Sequence, residues 1–119
     1  MPTGARGEGY LELDGETYVI LFTNRAIADA ERATGKSILQ LVNASQNDAL
    51  GVGDLAHLLA VGLEWGRREG RQQGGAYNIN DAWRLLDGLG FAVCLEVVLT
   101  ALATVLAYRP AKAPTDPPV

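Results

Sequence analysis

The sequence has few of the side chains that bind metals or act as catalytic nucleophiles. Its 119 residues include a single cysteine, Cys94, and a single histidine, His57. One cysteine cannot form an internal disulfide, and a zinc site needs several cysteine or histidine ligands. The sequence also lacks an Asp-rich loop of the kind that binds calcium. We therefore expect no metal, no cofactor and no catalytic residues, and hence a protein that is not an enzyme.

Positive charge is scarce as well. Ten Lys and Arg residues stand against 14 Asp and Glu residues, which gives a formal net charge of −4. Nucleic acids and anionic membrane surfaces repel an acidic protein, so neither is the expected partner. Arg67, Arg68 and Arg71, near Trp65, could still bind single-stranded nucleic acid. A solvated helix end, whose arginines complement the helix dipole, explains these residues better.

A secretory signal is also missing. The first ten residues, MPTGARGEGY, contain no apolar stretch of the length that such a signal needs. Together with the lone cysteine, this predicts a protein of the reducing cytoplasm.

The stretch from Ala33 to Ser37, ATGKS, looks like the end of a phosphate-binding P-loop. The full motif has another glycine five residues before Gly35, where this sequence has Ala30. A P-loop also follows a strand, whereas this stretch follows a helical pattern. Gly35 as the left-handed end of one helix, and Ser37 as the N-cap of the next, explain the sequence better. A nucleotide-binding protein or small enzyme built on this stretch therefore ranks far behind the other hypotheses.

Residues 8–22 have the pattern of a β-hairpin. Asp14 and Gly15 lie between two runs of alternating apolar and polar residues, which is typical of a two-residue type I′ turn. This turn pairs Leu11 with Tyr18. One face of the hairpin then carries Leu11, Leu13, Tyr18, Ile20 and Phe22, and the other carries Tyr10, Glu12, Thr17 and Val19. Because an isolated hairpin is only marginally stable, the first face must pack on helices.

After the hairpin, apolar residues recur with a helical period. Helices are predicted over about 24–34, 38–42, 52–69, 79–87 and 89–108, with a polar connection at 43–51 and a flexible loop at 70–77. Thr23 or Asn24, Ser37 and Asn78 are the expected N-caps. Asp81, three residues after Asn78, would complete a capping box.

These elements define the fold class and the domain organisation. We predict one α+β, mostly helical domain over residues 8–108, in which an N-terminal β-hairpin is followed by about five helices. Residues 1–7 and the Pro-rich residues 109–119 are predicted to be disordered.

The last helix-length segment, residues 89–108, is apolar on nearly every side. Glu96, Thr100 and Thr104 interrupt it, and their four-residue spacing places them on one narrow stripe. A membrane span has a similar length, but Glu96 would cost roughly 2.5–3.5 kcal/mol at the middle of a bilayer. We therefore expect the helix to be covered partly by its own domain and partly by another protein.

The helical period assigns the faces of this last helix. Phe91, Leu95, Val98, Leu102 and Val105 cluster within about 80° of one another and form the predicted inward face. The predicted partner-binding flanks carry Val93, Val97 and Ala101 on one side, and Leu99 and Leu106 on the other. On this assignment, Val97→Asp should weaken association with little unfolding, whereas Val98→Asp should unfold the domain.

Several short motifs occur in a fixed order along the chain. Gly9–Tyr18 matches the pattern G-x-x-x-L-x-G-x-x-Y, Glu31–Leu39 contains E-x-x-T-G-x-S-I, and Val52–Leu59 matches V-x-D-L-x-x-L-L. An alanine- and leucine-rich helix at 90–107 follows them. Over residues 8–108, this order resembles the small tail assembly chaperones of long-tailed bacteriophages and gene transfer agents. Some relatives of this kind are labelled tail tube proteins.

The resemblance implies a function without catalysis. Such chaperones are thought to bind the long, largely helical tape-measure protein and keep it soluble while tail-tube subunits polymerise around it. The implied partners are the tape-measure protein and possibly tail-tube subunits or further copies of the chain, in the cytoplasm of a bacterial host. The alternative is a structural tail subunit, of the tube or of a completion ring, that uses the same apolar surface for permanent contacts.

Overall fold

The computed structural model describes residues 6–70 and 76–108 of the chain. The elements are β1 (Glu8–Leu13), β2 (Glu16–Leu21), α1 (Asn24–Thr34), α2 (Ile38–Gln46), α3 (Val52–Arg68), α4 (Ile79–Leu89) and α5 (Phe91–Leu106). A two-stranded antiparallel hairpin is thus followed by five helices. This confirms the predicted α+β, mostly helical architecture.

The hairpin has the predicted turn and register. Asp14 and Gly15 adopt positive φ angles of 54° and 81°, as both central residues of a type I′ turn must. Leu11 pairs with Tyr18, as expected from the turn. On the face that carries this pair, the buried side chains are Leu11, Tyr18, Ile20 and Phe22. Val19 and Leu21, which belong to the opposite face of β2, are buried too.

The predicted caps delimit the helices. The Thr23 hydroxyl accepts a hydrogen bond from Ala26 N at 3.0 Å, and Gly35 ends α1 in the left-handed region with φ 73°. Capping boxes begin α2 at Ser37 and α4 at Asn78. Local side-chain chemistry therefore sets the starts of these helices.

Two helices differ from the sequence-based expectation. α2 continues to Gln46 instead of ending near residue 42, and inside the helix the Ser45 hydroxyl donates to Val42 O at 2.6 Å. The turn comes later, at Asp48, whose φ is 55°. α4 continues to Leu89, two residues beyond its predicted end, and buries Ala82, Leu85 and Leu86, while Trp83 is 36% exposed.

α3 is the central helix of the domain and packs closely on β2. A Cβ atom on Gly62 would lie 2.9 Å from Ile20 Cβ, and one on Gly66 would lie 2.5 Å from Val19 O. Glycine at these two positions therefore lets the helix approach the strand backbone. The core of the domain surrounds this contact and includes Phe22, Leu41, Leu55, Leu58, Leu59, Leu63, Leu85, Val98 and Leu102.

The two ends of the described chain meet beside α5. Gly7 N donates to the Thr104 hydroxyl at 2.7 Å, and Gly7 O accepts from Phe22 N at 2.8 Å. The Arg6 guanidinium lies 3.7 Å from the centroid of the Tyr108 ring. Arg6 and Gly7 therefore contact Tyr108 and α5, although they belong to the segment 1–7 that was predicted to be disordered. The predicted disorder of residues 1–5 and 109–119, and most of the predicted loop at 70–77, fall outside the described residues.

The membrane-span alternative was tested on the helices of the described residues. No single helix there is long and apolar enough to cross a bilayer. α4 and α5 reach that length only together, and the pair is bent by 119° at the break between them.

Candidate protein-binding surface on α5

The buried face of α5 is displaced from the predicted one. Its buried residues are Cys94, Val98, Ala101 and Leu102. Val98 and Leu102 agree with the predicted inward face, but Phe91 is 38% exposed. At 100° per residue, the buried face is rotated by roughly 35° toward Cys94 and Ala101. These two side chains are small, and small side chains let a helix approach its neighbours closely.

The hairpin covers one of the two predicted flanks. A Cβ atom on Gly9 would lie 3.0 Å from Val97 Cγ1, so β1 crosses directly over Val97. Val97 is therefore half-buried, and Ala101 is only 1% exposed. The placement of Ala101 on an accessible flank is wrong. Val93, which is 47% exposed, remains accessible on this side.

The other predicted flank borders an open groove. Leu99 is half-buried and Leu106 is 37% exposed, and both face α2, which makes few direct contacts with α5. Two adjoining cavities, of about 190 and about 130 Å³, lie between the two helices and share Ser45. We call this surface the α2–α5 groove. It is lined by Val42, Ser45, Gln46, Asp48, Leu50, Phe91, Leu95, Leu99, Leu102, Ala103 and Leu106.

The lining of the α2–α5 groove is mostly apolar. The α5 side chains Phe91, Leu95, Leu99, Leu102 and Leu106 follow one another at spacings of three or four residues. Asp48 is the one ionisable residue among the described residues that line the groove. Such a surface can take up an apolar helix.

Sequence reasoning missed the contribution of α2 to this groove. The helix was expected to end near Val42, and residues 43–51 were interpreted as a connection. In the structure, Ser45 and Gln46 form one wall of the groove, and Leu50 lies in its continuation. The apolar residues Val42 and Leu50, on either side of a polar segment, were the available signal.

The basic cluster at the end of α3 is held by one carboxylate. Glu64 accepts hydrogen bonds from Arg67 at 2.6 Å, from Arg68 at 3.0 Å and from Tyr77 N at 2.9 Å. These bonds, that from Arg67 first, lower the Glu64 pKa from 4.5 to about 2, although burial acts in the opposite direction. Arg67 and Arg68 therefore neutralise Glu64, and Arg71 lies outside the described residues.

The P-loop-like stretch joins two helices. Gly35 is the left-handed C-cap of α1, and the Ser37 hydroxyl accepts from Gln40 N at 3.1 Å. Lys36 Nζ lies 2.8 Å from Asp54 Oδ2. Gly35 and Ser37 thus form the predicted helix end and N-cap. Lys36 forms an ion pair with Asp54.

The remaining candidate chemical groups lie apart from one another. Among the described residues, no group of three or more His, Cys, Asp or Glu side chains could hold a metal ion. Cys94 is buried, and its Sγ atom lies 3.7 Å from Leu85 O. Burial raises the pKa of this thiol, which disfavours the reactive thiolate.

Comparison with known proteins identifies the family of this chain. A family model described as "Phage tail tube protein, GTA-gp10" matches residues 6–106. A search of curated proteins found no match, and a search of solved structures found none either. The matched range covers every described strand and helix, from β1 to Leu106 at the end of α5. Because the match covers most of the chain, the chain belongs to this phage tail protein family, whose description includes the name GTA-gp10.

Proposed function

We propose that this protein is a non-enzymatic tail assembly chaperone that binds the tape-measure protein through the α2–α5 groove. The observation that carries the proposal is an open, apolar groove on a chain that belongs to a phage tail family. The resemblance of the sequence motifs to tail assembly chaperones supplies the identity of the partner. The protein would act in the cytoplasm of the bacterial host, where tails assemble.

The shape and spacing of the groove suit a helical partner. Side chains at three- and four-residue spacing on α5 match the spacing along one face of another helix. A tape-measure helix laid between α2 and α5 would place its apolar face against Leu99 and Leu106. Covering these faces of the tape-measure protein would prevent its self-association before the tail tube forms around it.

The expected affinity of a single groove is modest. Phe91 and Leu106 are 38% and 37% exposed, so complete burial of either adds on the order of 1 kcal/mol. Several copies could bind at separate positions along one long tape-measure protein, and each copy could leave without the others. Weak individual contacts suit a chaperone that must be displaced by tail-tube subunits.

Co-expression with the cognate tape-measure protein tests the proposal. The wild-type chain should raise the soluble fraction of the tape-measure protein and co-purify with it. The double variant Leu99→Asp/Leu106→Asp should lose both effects, because it places two charges in the groove. The matched control is Val52→Asp, which adds a charge at a side chain that is 50% exposed and outside the groove lining, and should keep both effects. Failure of the wild-type chain to form a complex would refute the proposal.

A second candidate function is a structural tail subunit. The description of the matching family, a phage tail tube protein, favours it. In this case the α2–α5 groove would contact further copies of the chain in a permanent ring. Light scattering should then show a stable ring at micromolar concentration, and purified particles should contain the protein. A chaperone should be absent from the finished particles.

A further inference from the structure

The two outer edges of the hairpin have different surroundings. α3 packs against β2 so closely that a Cβ atom on Gly66 would lie 2.5 Å from Val19 O. The outer edge of β2 is therefore closed by a helix. β1 is the other edge strand of this two-stranded sheet, and in the described part of the chain no third strand lies beside it. An edge strand presents a row of main-chain N–H and C=O groups that can pair with another chain.

The register shows which groups of β1 point outward. Phe22 N donates to Gly7 O, which places this pair at a hydrogen-bonded position of the antiparallel ladder. Because bonded and non-bonded pairs alternate in an antiparallel ladder, the main-chain groups of Glu8, Tyr10 and Glu12 point away from β2. Within residues 6–70 and 76–108, no other element hydrogen-bonds to the main chain of Tyr10 or Glu12. Both residues are exposed.

A groove runs beside this edge. It has a volume of about 420 Å³ and lies between β1 and the side of α5 away from α2. Its lining residues are Glu8, Gly9, Tyr10, Glu96, Val97 and Thr100. Gly9 over Val97 forms the closed side, while Glu96 and Thr100 are exposed. The space beside Tyr10 can therefore hold an additional extended segment.

The charges around the edge select the kind of segment. Glu8 and Glu12 lie on one face of β1, and Glu96 stands across the groove. Among the described lining residues, none is basic. Lysine or arginine at alternate positions of an added strand would lie opposite these carboxylates, and opposite charges on neighbouring strands stabilise a sheet.

A second copy of the chain fits this edge poorly. Antiparallel pairing of two β1 strands about Tyr10 would place Glu8 opposite Glu12 of the other copy, twice. Pairing centred on Glu8 or on Glu12 would place that carboxylate opposite itself. Like charges directly opposite each other destabilise a sheet, so a basic partner is favoured over self-association.

We propose that the outer edge of β1 binds an extended segment of another protein with lysine or arginine at alternate positions, which adds a third strand to the hairpin. Main-chain hydrogen bonds to Tyr10 and Glu12 would hold the segment, and the exposed carboxylates of Glu12 and Glu96 would select it. This site is separate from the α2–α5 groove and does not depend on the function proposed for that groove.

A labelled synthetic peptide of about seven alternating lysine and threonine residues is a suitable probe. Its binding is measured by fluorescence anisotropy, beside a matched peptide with glutamate in place of lysine. The wild-type protein should bind the lysine peptide, more weakly as salt is raised, and should not bind the glutamate peptide. The variant Leu99→Asp/Leu106→Asp should bind the lysine peptide as the wild type does. Equal binding of both peptides would overturn the proposal.

Variants at Tyr10 test the main-chain contact. Tyr10→Pro removes the outward N–H but no hydrogen bond to β2, and should weaken binding of the lysine peptide about tenfold or more. Tyr10→Thr keeps this N–H and should bind within about twofold of wild type. Equal binding by a folded Tyr10→Pro variant would overturn the proposal. So would wild-type dimerisation that Tyr10→Pro abolishes, since a second copy would then occupy the edge.

Amide NMR shifts provide a test that needs no variant. Titration of the wild-type protein with the lysine peptide should shift the amide signals of Tyr10 and Glu12, together with those of Glu96 and Thr100. Shifts confined to the α2–α5 groove, or no shifts at all, would overturn the proposal even if Tyr10→Pro failed to fold.

Discussion

The two longest helices of this protein differ in how completely the fold encloses them. α3 has seven buried residues, and α1, α4, α5 and β2 pack around it. α5 is the more apolar of the two, yet it has four buried residues, and the hairpin, α3 and α4 leave its α2 side open. Apolar content therefore does not determine burial in this chain. The position of each helix among its neighbours does.

The C-terminal ends of α3 and α5 also differ in how they are held. At the end of α3, Glu64 accepts hydrogen bonds from Arg67, from Arg68 and from the main chain of Tyr77. α5 has no basic residue in its last turn, and neither helix has a side-chain hydrogen bond at its N-cap. α3 thus has a structural role, while α5 depends on packing and carries apolar surface beyond what the core uses.

The largest effect on stability is expected on the buried face of α5, which belongs to the core as the buried face of α3 does. Val98→Asp should lower the free energy of unfolding by more than about 4 kcal/mol, because it buries an unpaired charge in a site with no exposure. Loss of the cooperative unfolding transition, followed by circular dichroism, checks this. A variant that unfolds like the wild type would show that this face of α5 is not part of the core.

The second-largest effect on stability is expected at the C-terminal end of α3. The pKa of Glu64 is lowered to about 2, so its ionised form stabilises the fold above its ordinary pKa of 4.5, and this contribution is lost as the pH falls toward 2. Glu64→Gln should therefore cost roughly 2–3 kcal/mol at neutral pH and almost nothing near pH 2. Urea unfolding at both pH values measures the difference.

The matched control for this prediction is Glu69→Gln. Glu69 lies at the exposed end of the same helix, so its substitution should change the free energy of unfolding by less than about 0.5 kcal/mol. If Glu64→Gln changed the free energy of unfolding as little as Glu69→Gln at neutral pH, the hydrogen bonds of Glu64 would not contribute to stability.

A smaller effect is expected where α3 contacts β2. Gly66→Ala would place a Cβ atom 2.5 Å from Val19 O and should lower the free energy of unfolding by about 1–2 kcal/mol. Gly53→Ala, in the same helix with open space around it, should raise it by about 0.5–1 kcal/mol. Thermal unfolding of the two variants checks the opposite signs. A gain from both would mean that close approach to the strand is not needed.

The smallest effect on stability is expected on the open side of α5. Leu106→Asp should change the free energy of unfolding by less than about 1 kcal/mol, because the side chain is 37% exposed and the aspartate can reach water. A loss comparable to that of Val98→Asp in chemical unfolding would mean that the α2–α5 groove belongs to the core.

The structure also changes the test expected for Val97. The sequence placed this residue on an open flank, where a charge would disturb binding alone. Because β1 crosses over Val97 at Gly9, Val97→Asp should disturb the hairpin contact as well. Leu99 and Leu106, on the α2 side, are therefore the better positions for separating binding from folding.

The sequence by itself determined the local features of this protein. The Asp14-Gly15 turn, the Ser37 and Asn78 caps and the Gly35 helix end all follow from interactions within a few residues, which a sequence displays directly. The order of the elements and the resemblance to tail assembly chaperones could also be predicted, because both rest on short stretches of sequence. The excess of apolar surface on the last helix was visible too.

Only the tertiary structure decided which side of that helix is covered. The helical period placed one accessible flank of α5 on each side of its predicted inward face. The small residues Cys94 and Ala101 let the helix turn toward its neighbours, and the absence of a side chain at Gly9 lets β1 cover Val97. The continuation of α2 to Gln46 then supplies the far wall of the groove. These outcomes depend on contacts between distant parts of the chain, which the period of one helix does not contain.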